Sequence, residues 1–200
     1  MTSSQAIEKE AVRQACLDRR NQISPGERKE ASLQICKHAL QYLNIHNLVK
    51  DTQVSAYLPI RSEVDLGWLL PKLHIAGAQL SLPVVLDKTT IIFRAYAPGE
   101  PLQIAGFGTS GPSEKSAIID PVVLLMPLAG FDRNGARIGY GAGHYDRAIQ
   151  RLLNKNIVPI PIGIAFSAQE VSAVPSEPHD MPLSAIITEV GIHEPEELNS

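Results

Sequence analysis

Residues 126–147 read MPLAGFDRNGARIGYGAGHYDR, and this stretch decides the fold. It follows an apolar run, Val122 to Leu125, with the character of a buried strand. It leads into Tyr145 to Leu153, which reads as the opening of a helix. Four glycines, at 135, 139, 141 and 143, fall within nine residues, with Arg137 among them and Asp146 just beyond. Glycine permits positive φ and a close backbone approach, so successive N–H groups can converge on an anion. The helix N-terminus that follows favours negative charge at the same place. Strand, glycine loop and helix in that order predict an α/β protein whose loop receives a phosphate.

The two best-known phosphate loops are excluded by spacing. A Walker loop needs Gly-Lys before Ser or Thr, and the chain has no Gly-Lys dipeptide. A dinucleotide fingerprint needs G-x-G-x-x-G, whereas Gly139 to Gly143 reads G-x-G-x-G and lies late in the chain.

Working outward, Ile7 to Asn21 reads as an amphipathic helix with Ile7, Ala11, Ala15 and Cys16 as its apolar stripe. Ser24-Pro25-Gly26-Glu27 opens a second helix, with serine as N-cap, proline at N1 and glutamate at N3. Gln53 to Leu58 is a strand closed by Pro59. Leu66 to Ala76 is helical, with Pro71 forcing a kink or a late restart. Gln79 to Val85 and Thr90 to Ala95 form a hairpin across Asp87-Lys88. Pro98 to Ile118, with Gly106, Gly108, Gly111 and Pro112, is expected as a loop over the active site. Val122 to Met126, Ile160 to Ala165 and Ala185 to Thr188 complete the strands. The expected fold is a single α/β domain over residues 1–200. Its central sheet is mostly parallel and flanked by helices, with an antiparallel edge and an N-terminal helical pair. Ligands of such sheets sit beyond the carboxyl ends of the strands, where the glycine loop and the Pro59 to Glu63 segment would meet.

Bulk properties narrow the function. Two hundred residues suffice to bury a substantial core, and a net charge of −3 gives no basic field for nucleic acid. No run of about 18 apolar residues predicts a membrane span, and Met1 to Arg13 lacks the apolar core of a secretory signal. Cys16 and Cys36 are too few for a disulfide framework, so a cytoplasmic protein is expected.

Individual residues carry alternative readings. Asp146 can ligate Mg²⁺, or can simply complement the dipole of the helix it opens. Lys9 and Arg13, at i and i+4, share one helix face that could be merely solvated. Arg137 is the more specific phosphate partner, because long cations seldom sit between glycines for packing. Tyr140 and Tyr145 can stack or donate, or can be half-buried element ends. His144 can approach phosphate or be incidental.

The run F-D-x-x-G-x-R-x-G-Y-G-x-G-x-Y-D-R closely resembles the signature of the 5-formyltetrahydrofolate cyclo-ligase family, also called methenyltetrahydrofolate synthetases. Lys9 and Arg13, the Ser24 to Arg28 turn, Tyr57-Leu58-Pro59 with Glu63, and Pro175 to Met181 match further family segments in order. The resemblance implies an enzyme that uses MgATP to close 5-formyltetrahydrofolate into 5,10-methenyltetrahydrofolate, releasing ADP and phosphate through a phosphorylated formyl group. It implies ATP contacts from Lys9, Arg13, Arg137, Gly139, Tyr140, Gly141, Ala142, Gly143, His144 and Tyr145. It further implies folate contacts from Leu58, Glu63 and Tyr140, Mg²⁺ ligation by Asp146 and Asp180, and a catalytic part for Arg137 and Tyr140. A monomer is expected, with no nucleic-acid or membrane partner. His144 stands where tyrosine is more usual, Ala142 where some relatives carry lysine, and Gly111-Pro112 where Glu-Pro is frequent. Two other readings are a non-catalytic nucleotide- or folate-binding module and a related α/β enzyme such as a phosphosugar isomerase or a CoA-transferase-like protein.

Overall fold

The computed structural model describes residues 3–104, 110–175 and 181–195. Two long helices open the chain, α1 (Ser3–Gln22) and α2 (Pro25–Ile45). The cap of α2 is the expected one. Ser24 accepts from the Glu27 N–H while the Glu27 side chain accepts from the Ser24 N–H, and Pro25 fills N1 where no donor is needed.

Then follow β1 (Gln53–Ser55), α3 (Leu69–Ile75), β2 (Gln79–Val85), β3 (Ile91–Ala95), β4 (Gln103–Ile104), β5 (Ser110–Gly111) and β6 (Val123–Pro127). The second half runs through β7 (Gly130–Phe131), β8 (Arg137–Ile138), α4 (His144–Leu153), β9 (Ile160–Ile164), β10 (Ala185–Thr188) and β11 (Gly191–His193). The principal sheet has the order β11-β10-β9-β6-β1-β2-β3. Its five inner strands are parallel, and β3 and β11 each close an edge antiparallel to their neighbour.

Why β6 reads as an unbroken apolar run is visible in its packing. Val123 and Leu125 of β6 join Val54, Ile162 and Ile187 in a core with Ile35, Ala39 and Leu43 of α2 and Leu69 and Leu73 of α3. Leu124 and Met126 turn to the other face and pack with Ala148, Ile149 and Leu152 of α4. A sheet covered on both faces needs apolar residues on both, so the period-two signal vanishes.

Two expectations are corrected. Of the expected stripe Ile7, Ala11, Ala15 and Cys16 on α1 only Cys16 is buried, since Ile7 is 68% exposed and the two alanines are exposed as well. Beside Cys16 the helix buries Arg20 and half-buries Lys9, Val12, Arg13 and Leu17. Val12 and Leu17 pack against Ala129, Ile138 and Val174, and guanidinium groups donate to carbonyls: Arg13 Nε to Gly139 O at 2.7 Å and Arg19 Nε to Ala168 O at 2.7 Å. Next, residues 130–138 are not loop. They form the β7–β8 hairpin, whose turn is pinned by buried Asp132, accepting from Asn134 N at 2.9 Å and Val174 N at 2.8 Å. Of the two outcomes expected at Pro71, α3 takes the late restart, beginning at Leu69 rather than Leu66, which places Pro71 in the first turn where its missing N–H costs nothing.

The topology fixes where a ligand can bind. From β1 the chain moves outward through β2 to β3, then returns to the opposite side of β1 with β6 and moves outward through β9 and β10 to β11. The order therefore reverses between β1 and β6, and a crevice opens beyond the carboxyl ends of those two strands.

Candidate active site

A cavity of about 500 Å³ occupies that crevice. One wall follows β1: Tyr57, Leu58, Pro59 and Glu63. The opposite wall is the glycine loop and the start of α4: Gly139, Tyr140, Ala142, Gly143, His144, Tyr145 and Asp146, with Arg137 of β8 beside them. Leu82, Val85, Ile91 and Met126 supply an apolar floor, and Leu102 and Ser110 reach the rim from the strand pair β4–β5.

The glycine loop earns its glycines at two places. Gly141 has φ +92° and Gly143, the N-cap of α4, has φ +62°, both in the left-handed region. A β-carbon on Gly141 would also sit 3.4 Å from Arg13 Cζ. Arg13 thus lies flat on the loop while its Nε holds Gly139 O. Lys9 stands one helical turn before it, half-buried on the same face.

Arg137 is nearly enclosed, with 9% of its side chain exposed, and donates to Met181 O and to Asp146 Oδ1. Asp146 is half-exposed at the cavity rim, so its carboxylate is an accessible oxygen donor. Asp180, the second expected metal ligand, lies outside the described residues.

The β1 side of the cavity is dominated by Glu63, 8% exposed. Its Oε2 accepts from Ile60 N at 2.9 Å, and Oε1 is buried without a partner among the described residues. Burial raises the Glu63 pKa above the ordinary glutamate value of 4.5, partly offset by the Ile60 N–H, Tyr140 and the positive charges of Arg20 and Arg61. The hydroxyls of Tyr57 and Tyr145 are likewise buried and unpartnered here. Burial, reinforced by the Glu63 charge, pushes both phenols and that of Tyr140 upward, so all three stay protonated donors. His144 Nε2 is a fourth buried polar atom without a partner. Four buried polar atoms around one cavity, without partners among the described residues, indicate a polar ligand.

The description "5-formyltetrahydrofolate cyclo-ligase family" belongs to a family model that matches residues 5–189. The chain belongs to this family. The 5-formyltetrahydrofolate cyclo-ligase of Haemophilus influenzae is 30% identical over 170 residues, covering 80% of this chain and 87% of that one. Among solved structures, the 5,10-methenyltetrahydrofolate synthetase of Aquifex aeolicus superposes with a TM-score of 0.79 at 27% identity, covering 96% of this chain and 95% of that one. The synthetase of Mycoplasma pneumoniae gives 0.72 at 25% identity, over 90% and 98%. The mostly parallel α/β sheet is therefore the cyclo-ligase fold, and the chain is an enzyme of the ligase class.

Within this cyclo-ligase, sequence reasoning overlooked Arg20 and Gln169. Arg20, 2% exposed, reaches Ser62 and Tyr140 beneath the cavity. Its signal was available: Lys9, Arg13 and Arg20 recur at i, i+4 and i+11, one face of a helix. Gln169 Nε2 donates to Leu128 O at 2.6 Å and Ala129 O at 2.9 Å, tying the ends of β6 and β9 together. No spacing pattern announces a glutamine of that kind. Among the described residues no helix is long and apolar enough to cross a membrane.

Proposed function

We propose that this cyclo-ligase couples transfer of the ATP γ-phosphoryl group to closure of 5-formyltetrahydrofolate into 5,10-methenyltetrahydrofolate, with ADP and phosphate released. The observation that carries the reading is one cavity with a buried carboxylate at one end and a cationic glycine loop at the other. Glu63 suits the N–H edge of an aminopyrimidinone ring, which offers paired donors, and Leu58 packs beside it. Gly139 to Tyr145, the α4 N-terminus, Arg13 and Arg137 suit a polyphosphate, with Lys9 added from the same face of α1.

Such a pairing of sites answers a chemical difficulty. A formyl oxygen is a poor leaving group as hydroxide at neutral pH. Its attack on the γ-phosphorus, with ADP departing, gives an iminium phosphate. N10 then attacks the formyl carbon and loses its proton, and the C–O bond breaks with phosphate carrying away both electrons. Both nucleophiles belong to the substrate, so the protein aligns the reacting atoms and spreads charge. Tyr140 lies between the two ends of the cavity and Arg137 faces the phosphates, which suits them for that work.

Mg²⁺ fits the rim chemically. Asp146 offers a hard oxygen donor there, and magnesium uses one or two carboxylates and completes its shell from phosphates and water. Bound through Asp146 and, by the sequence resemblance, Asp180, it would neutralise phosphate charge. Action as a monomer in the cytoplasm completes the proposal.

Absorbance of the purified protein with 5-formyltetrahydrofolate, followed in the near-ultraviolet band of the methenyl product, tests the reading. Growth of the band only with MgATP is expected. Tight folate or ATP binding without growth would replace the enzyme with a binding module.

A further inference from the structure

Arg20 is among the largest fully buried side chains of the protein, and it is a charge. Burying a guanidinium is costly unless its donors are matched, and such groups are rarely enclosed by accident of packing. Nε donates to Ser62 Oγ at 3.0 Å, and Ser62 in turn donates to Asn21 Oδ1 at 2.5 Å. Nη1 donates to the Tyr140 hydroxyl at 2.6 Å, and Cζ lies 5.6 Å from the Tyr140 ring centroid. A guanidinium has donors and no acceptor, so in this bond the Tyr140 oxygen must accept. The single phenolic hydrogen is then left for the other side, where it steadies the neighbouring Glu63 carboxylate, and Tyr140 lines the cavity between Glu63 and the glycine loop.

Resting on the reading of a formylated folate in this cavity, we infer that Arg20 is a positioning residue that fixes Tyr140 as a hydrogen-bond donor, facing Glu63 in the free protein and the formyl oxygen once the N–H edge of the ring has taken up the Glu63 carboxylate. That oxygen has two lone pairs; the phenol holds one and leaves the other aimed at phosphorus. The high pKa that burial gives the phenol keeps the donor in place throughout the neutral range. Arg20 also ties the geometry to α1, because the helix that supplies Arg20 supplies Arg13 to the glycine loop.

The test is calorimetric binding of two ligands, 5-formyltetrahydrofolate and tetrahydrofolate, without ATP. The set is wild type, Tyr140→Phe, Arg20→Gln, Arg20→Lys and the Arg20→Gln/Tyr140→Phe double variant. Each of Tyr140→Phe and Arg20→Gln is expected to weaken the formylated ligand about tenfold and tetrahydrofolate less than about twofold. The double variant should be no weaker than Tyr140→Phe alone, since Arg20 acts through that hydroxyl. Arg20→Lys, which keeps a donor, should recover part of the loss. Equal losses for both ligands, or additive losses in the double variant, would overturn the inference. Should Arg20→Gln not fold, Ser62→Ala replaces it, with a smaller loss confined to the formylated ligand expected and a uniform loss overturning. A wild type that binds 5-formyltetrahydrofolate but never forms product would sink the cyclisation reading and leave this cycle legible. A wild type that binds no folate would overturn both.

Discussion

Gly130 and Cys16 stand so close that no β-carbon fits between β7 and α1: one built on Gly130 would lie 2.6 Å from Cys16 Sγ. Gly130→Ala must therefore turn the Cys16 thiol aside or lift the helix that carries it with Arg13 and Arg20. The expected cost is about 1–3 kcal/mol of stability, with loss of ATP affinity beyond what the stability change implies. Thermal unfolding and ATP titration measure the two. Cys16→Ala removes the obstructing sulfur, so the double variant should regain much of both. If it regains stability without ATP affinity, α1 does not hold the nucleotide.

Gly141 tests the loop from the other side. Its φ of +92° strains any L side chain, and a β-carbon would crowd Arg13 Cζ at 3.4 Å. Gly141→Ala should cost about 1–2 kcal/mol and weaken ATP at least about tenfold, folate much less. ATP and folate titrations of the folded variant decide it. Equal losses for the two ligands would mean that the loop shapes the cavity as a whole.

The pH dependence of Glu63 runs opposite to that of an ordinary paired carboxylate. Its folded pKa is raised above 4.5, so between that value and the raised one the folded state binds more protons than the unfolded state. Stability therefore falls as pH rises through this window, and the penalty is complete above it. Glu63→Gln removes the ionisation. The variant should match wild type in melting temperature near pH 4 and exceed it at pH 8. It should also lose folate affinity, because glutamine replaces one of the two acceptor oxygens with an NH2 donor that faces the donor edge of the ring. A melting difference that does not change with pH would contradict burial as the cause.

How much of this was legible in the sequence depends on what holds each element. The Val123 to Met126 run announced β6 because burial on both faces leaves one apolar signature. Ser24 and Glu27 announced α2 because a capping box is local. Helix α1 was visible, but its orientation was not. Apolar periodicity points to a core, and this helix docks through Arg13, Arg19 and Arg20 onto carbonyls and hydroxyls contributed by segments far along the chain. The β7–β8 hairpin hid inside the glycine-rich stretch, since its two-residue strands are too short for any period and Asp132 sets the turn through Val174, 42 residues away. Of the candidate site, the segments at Glu63 and at Gly139 to Asp146 were legible and do meet across the cavity. The link beneath them, Arg20 to Tyr140, was not, because only the folded chain brings residues 120 positions apart into contact.

Asp146 separates a metal ligand from a side chain that merely steadies Arg137. Arg137 donates to Asp146 Oδ1, and asparagine retains an Oδ1 that can accept the same bond. A purely positioning role therefore survives Asp146→Asn largely intact. A role in holding Mg²⁺ does not, because the lost negative charge is what draws the cation to the rim. The proposed function expects Asp146→Asn to lower MgATP-dependent turnover by about 10²–10³-fold, to raise the Mg²⁺ concentration for half-maximal rate, and to leave 5-formyltetrahydrofolate binding within about twofold. Initial rates across a magnesium series, paired with folate titration, read all three. Near-normal turnover with an unchanged magnesium midpoint would return Asp146 to the simpler part of orienting Arg137 and complementing the α4 dipole.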